Sequence, residues 1–165
     1  MITRWAKILL LAAIAAYYTL VVFGNLTDFD SNYQFVRHVL LMDSTFPGNH
    51  GMWRAIHSPG IHLAFYWMII AWEIASMVLT WWAAAKLLRG LRSPANEFNA
   101  EKRMAVIALT LSLLMWLVAF LEAGGEWFMM WQSVAWNGQQ AAFRMFAIIG
   151  IVLILVLQTD TDTQP

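Results

Sequence analysis

The chain has 165 residues, 61% of them hydrophobic and 12% charged, with a formal charge of zero. A soluble domain carries about 25% charged residues, and a neutral chain projects no long-range field toward nucleic acid or an acidic partner. It contains no cysteine, which excludes disulfides, thiolate metal sites and thiol-relay chemistry such as that of a quinone-coupled thiol oxidase.

Four long apolar runs fill most of the chain, at residues 5–24, 61–85, 104–123 and 141–157. Each is about the 17–25 residues that a helix needs to cross a hydrocarbon core of ~30 Å. A soluble bundle would confine its apolar residues to an inner stripe, whereas Leu111 to Phe120 is apolar almost all round. The expected fold is therefore an all-α membrane protein, a single domain of four transmembrane helices in an antiparallel bundle.

The first run follows Arg4 and Lys7 and resembles a signal peptide. Its apolar part, Ile8–Phe23, exceeds the ~7–15 residues of a signal h-region, so it reads as a retained span. The loop after it, Asn25 to Gly60, is long for a connector and carries a helix signature. Ser31-Asn32-Tyr33-Gln34 fits a capping box, Asp28 and Asp30 suit a positive helix end, and Phe35, Val36, Val39 and Leu40 share one face. Asp43 and Phe46-Pro47-Gly48 should end this short amphipathic helix, which would lie on the outer surface or cap the bundle. The same loop opens like a calcium loop at Asp28-Phe29-Asp30, but Tyr33 and Val39 stand where glycine and glutamate are needed. His38, His50, His57 and His62 could ligate iron in principle, yet no pair sits at ligand spacing on facing spans. No cofactor is expected.

The second span contains Glu73, twelve residues past Ile61 and thus about 18 Å along the axis. A charge near mid-membrane needs a partner, water or a proton. Tyr17, Tyr18, Thr110 and Ser112 lie at comparable depth and could hydrogen-bond it, and desolvation would favour its neutral form. The polar link from Leu91 to Phe98 holds Pro94 as a breaker, and Glu97 and Glu101 mark a helix start before the third span. That span ends with Glu122 and Glu126, and Arg144 lies one turn into the fourth. An Arg144–Glu122 or Arg144–Glu126 pair is the contact expected between them. The segment between these spans, Gly124 to Gln139, mixes tryptophans with amides. It is too polar to cross and too apolar to be solvated, which fits an interfacial element. Gly124-Gly125 and Asn137-Gly138 are turn signals. A polar pocket lined by Glu122, Glu126, Arg144, Gln132, Asn137 and Gln139, with Glu73 beneath it, is the candidate binding site; the bland alternative is a structural staple.

Basic residues set the orientation. Arg4, Lys7, Lys86, Arg89, Arg92, Lys102 and Arg103 fall on one side, and Arg37, Arg54 and Arg144 on the other. The positive-inside rule places both termini and the 86–103 loop in the cytoplasm. Trp5, Trp81 and Trp82 would then line the inner interface, and Trp53, Trp127, Trp131 and Trp136 the outer one.

Several stretches resemble a bacterial family of predicted small integral membrane proteins, domain of unknown function 2165. They are Asn25-Leu-Thr-Asp-Phe29, Asn32-Tyr-Gln-Phe-Val-Arg-His-Val-Leu-Leu-Met-Asp43, Trp53-Arg-Ala-Ile56, Glu73, Gly125-Glu-Trp-Phe-Met-Met-Trp-Gln-Ser133, Trp136-Asn-Gly-Gln139 and Arg144. The resemblance covers nearly the whole chain. It implies a four-span protein of the bacterial inner membrane and no established activity, and it assigns no catalytic residue. The function this favours is a non-catalytic accessory or partner-binding subunit of a membrane complex. Its partners would be the lipid bilayer and another membrane protein or a second copy, with no nucleic acid. The alternative is a binder or carrier of a small ligand or protons that uses Glu73 and the outer Glu/Arg cluster. A haem- or quinone-linked redox protein, or any enzyme, is least favoured, because no nucleophile–base set, metal-ligand spacing or phosphate loop is present.

Overall fold

The structure, a computed structural model, describes residues 1–162. Its elements are α1 (Ile2–Thr27), α2 (Phe29–Leu41), α3 (Pro59–Arg89), α4 (Ala95–Leu114) and α5 (Gln139–Leu157). Beyond Leu114 the third span continues as a π-helix over Met115–Trp127, and single 3₁₀ turns occupy Met52–Arg54 and Met130–Gln132. No strand occurs among the described residues. Four helical stretches are long and apolar enough to cross a membrane: Ile2–Thr27, Pro59–Arg89, Ala95–Trp127 and Gln139–Leu157. They contain the four apolar runs and extend beyond them, because helical hydrogen bonding continues into polar flanks that hydropathy does not register. Proline marks two starts: Pro59 is the first residue of α3, and Pro94 immediately precedes α4. A missing N–H costs nothing in a first turn.

The amphipathic helix of the first loop exists, but it begins at Phe29 instead of after Ser31. Its cap position, Asp28, makes no side-chain capping bond. Gln34 does not reach back to Ser31; its amide donates to Asp30 Oδ1 at 3.3 Å and its oxygen accepts from Arg37 at 2.8 Å. Ser31 lies inside the first turn and so cannot cap it. The helix stops at Leu41, where Met42 takes a left-handed conformation (φ 55°) and its N–H bonds Val39 O.

The residues group into two compact units. One comprises Met1–Val21, Glu73–Leu113 and residues 147–162; the other comprises Val22–Trp72 and Leu114–Phe146. The first unit packs along helical stripes of small residues. Ser76, Thr80 and Ala83 of α3 and Ala105, Ala108 and Ser112 of α4 are fully buried. Small side chains let helix backbones approach where lipid supplies no hydrophobic drive between spans. Leu11, Ala15 and Tyr18 of α1 and Ile149, Val152 and Val156 of α5 complete that core.

The second unit is built on rings and methionines. Leu40, Met42 and Phe128 form its centre, with Val36, Val39, Ala55, Ile56, Phe65 and Met129 packed against it. Phe29 meets Tyr66 edge-on at 4.8 Å and Trp67 at 5.5 Å, and Tyr66 Oη donates to Asn25 O at 2.9 Å. Trp136 stacks on His38 at 4.5 Å, nearly parallel.

Candidate functional site

In the second unit the chemistry converges on Arg54. The 3₁₀ turn Met52–Arg54 presents Trp53 and Arg54 together, and the last turn of the π-helix presents Trp127. The guanidinium lies 5.3 Å from the Trp53 ring and 5.1 Å from the Trp127 ring, which meet edge-on at 5.8 Å. Its Nη1 donates to Trp127 O at 3.3 Å, while its buried Nε has no hydrogen-bond partner among the described residues. A cation facing two indoles is held by their quadrupoles. Trp53 remains 72% exposed and Trp127 50%. Arg54, Trp127, Glu122, Glu126 and Val118 line a shallow groove, so both acids border this surface.

Arg144, the cation expected beside those acids, is exposed, and no ion pair joins it to Glu122 or Glu126 among the described residues. The π-helix accounts for this. Its hydrogen bonds skip five residues, as Phe128 N–H to Ala123 O does at 2.9 Å. Every side chain beyond Met115 is thereby rotated from its α-helical bearing. The helix also runs through Gly124-Gly125, where a turn was expected. The chain turns instead at Met129 (φ 53°). A Cβ on Gly125 would sit 2.5 Å from Gln139 Nε2, so the missing side chain there makes room for that amide.

The expected amides are dispersed. Gln132 Oε1 accepts from Phe46 N at 3.0 Å and Asn49 Nδ2 at 3.3 Å. With the Ser44–Ser133 hydroxyl bond at 2.7 Å, it stitches the first loop to the third. Asn137 Oδ1 accepts Gln139 N–H at 3.1 Å, holding the start of α5. Asn137 and Gln139 share a second shallow pocket with Ser133, Gln140 and Phe143. Glu73 belongs to the first unit, where it is 2% exposed. Of the histidines, His62 is buried and bonds Ile56 O through Nε2 at 2.7 Å. A carbonyl only accepts, so Nε2 carries the proton; Nδ1 has no hydrogen-bond partner among the described residues.

A third feature of this unit is an apolar cavity of about 170 Å³. One wall is the apolar face of α2, a second is Phe65 to Trp72 of α3, and a third is the π-helix from Val118 to Gly124; Phe128 and Met130 close it.

The first unit holds a charged cluster. Lys7 and Lys102 both bond Asp160 Oδ2, Lys7 at 2.6 Å. Both also donate to Gln158 O, at 2.6 and 2.7 Å. Asn99 closes a reciprocal pair with the Asp160 backbone at 2.9 and 3.0 Å. Arg4 donates to Leu91 O at 3.0 Å and Ser93 O at 2.6 Å and faces the Phe98 ring at 4.5 Å. Asp162 accepts the Ala95 N–H at 2.9 Å, capping α4 from a distant segment. Burial raises the Asp160 pKa, but the hydrogen bonds from Lys102 and Lys7 outweigh it, and the carboxyl titrates below its ordinary range.

Residues 3–159 match the family described as predicted small integral membrane protein, domain of unknown function 2165. The chain belongs to that family. No curated protein and no solved structure matches it. As an integral membrane protein it contacts the lipid bilayer. Glu122 and Glu126 of this family member are legible in the sequence as an outer acidic pair, whereas Arg54 as their neighbour and the Lys7–Lys102–Asp160 cluster are not. The available signal was chemical: two lysines flanking apolar runs need an anion, and Asp160 follows the last span.

Proposed function

We propose that this member of the domain of unknown function 2165 family is a non-catalytic accessory subunit that binds a partner membrane protein through the Trp53–Arg54–Trp127 surface. One observation carries the reading: an arginine held between two exposed tryptophans beside two carboxylates, Glu122 and Glu126, that make no ion pair among the described residues. Trp and Arg are the side chains that dominate interface energetics, and Glu122 and Glu126 supply charges a partner can neutralise. Seven of the ten Lys and Arg residues fall in the first unit. That division supports an inner-membrane protein with both termini cytoplasmic and the Arg54 surface outside, in one antiparallel four-span domain.

Purification in a gentle detergent followed by mass spectrometry tests this. A stoichiometric membrane protein should co-purify with the wild type and be lost from Trp53→Ala/Trp127→Ala, yet be retained by Trp5→Ala. If the wild type elutes alone, or the double variant keeps the same partner, the reading fails.

Buried Glu73 favours a second reading, a carrier of protons or a small ligand. Glu73→Gln should then abolish uptake-coupled growth without lowering the melting temperature, and wild-type growth would remove this reading.

A further inference from the structure

We propose that the apolar cavity of the second unit is a lipid site that takes the end of one acyl chain from the bilayer. Its walls carry no charged side chain; Phe35, Phe65, Trp72 and Phe120 supply rings, and Met68 and Met130 supply thioethers. The lining is almost wholly apolar, so water finds too few partners to fill the space: a water needs two to four. A dry apolar cavity of about 150 Å³ accepts benzene, so a volume of about 170 Å³ has room for roughly six carbons.

The rim identifies the occupant. Most lining residues are buried or half-buried, but Met68 and Val118 are exposed. Both are apolar, and both lie on candidate spans. The mouth therefore opens on a surface where the neighbouring molecule is lipid. Leaving hydrocarbon for an apolar pocket brings no hydrophobic gain. The drive is dispersion: an unfilled void deprives its lining of contact atoms, and a mobile chain at the mouth can supply them. The local sequence keeps the space open. Ala119, Ala123 and Gly124, all small, face it from the π-helix. The cavity shares Val118 and Ala123 with the groove beside Arg54, but its ligand class does not depend on the partner surface proposed there.

The test is photolabelling of the full-length protein in phosphatidylethanolamine–phosphatidylglycerol vesicles containing a phosphatidylethanolamine with a terminal diazirine on one acyl chain. Mass spectrometry should find label on Leu40, Phe128 or Met130, which are buried and unreachable from the bulk bilayer. It should also find label on lipid-facing residues such as Ile151 and Ile154. Ala123→Leu fills the cavity and should reduce label at the buried three at least tenfold, leaving Ile151 and Ile154 unchanged. Ala119→Leu serves in its place if Ala123→Leu fails to give a helical, monodisperse protein. Wild-type label confined to exposed span residues overturns the proposal, as does cavity label that persists in a folded filled variant.

Discussion

The two units stabilise themselves by opposite means. In the unit containing Lys7 and Asp160, buried charges are gathered and paired, and small residues bring the helices together. In the unit containing Arg54, the carboxylates of Glu122 and Glu126 stay exposed, and rings and thioethers do the packing. The contrast follows from where each can find partners. Lysines just outside an apolar run must be neutralised locally or pushed into water. Rings at such a level need no partner beyond one polar tip.

The sharpest way to break the comparison is Asp160→Asn. It leaves Lys7 and Lys102 buried without an anion, and removing one member of a buried ion pair costs about 3–5 kcal/mol. Thermal unfolding in detergent should show that loss as a large fall in melting temperature. The same group sets the acid response. Its native pKa is depressed, so its contribution is complete above the ordinary carboxylate value of 3.8. It is lost only as pH falls through the still lower native value. A wild type whose stability already declines near pH 5 and tracks Asp160→Asn at every pH would contradict the assignment.

In the other unit, Trp136→Ala removes the His38 stack and should cost about 1.5 kcal/mol, read as faster proteolysis of the first loop. Arg54→Lys keeps the charge but loses the planar guanidinium between the indoles, and a loss of about 0.5–1 kcal/mol is expected. Glu101→Gln is the control that sharpens the contrast. The Lys86–Glu101 pair, 2.8 Å apart and partly exposed, should contribute under about 0.5 kcal/mol. A loss as large as that of Asp160→Asn would mean that exposure does not separate the pairs.

The spans were legible because mean hydropathy over a crossing length has no soluble alternative in so short a chain. Their ends were not, since hydrogen bonds carry α3 on to Arg89 and start α4 at Ala95, through charged residues that hydropathy excludes. The helix at 29–41 was legible from its apolar face but not its cap, because Asp28 and Ser31 are equally good capping residues and only backbone geometry chooses between them. Glu122 and Glu126 were visible as an outer acidic pair. Their neighbour was not, because an i+5 register leaves no mark in periodicity and turns the whole face. The Lys7–Lys102–Asp160 cluster was invisible for a different reason: its members come from three separated segments, and no spacing rule links them.

Asp160 bonds a lysine 153 positions earlier in the chain. At a synthesis rate of about 5–20 residues per second, Lys7 waits roughly eight to thirty seconds for its counter-ion. During that interval the first helix sits in the bilayer with an uncompensated ammonium near its start, held at the interface by snorkelling alone. Assembly of that half thus has a built-in clock, and a nascent chain halted before Asp160 holds an α1 segment that is still chemically unfinished.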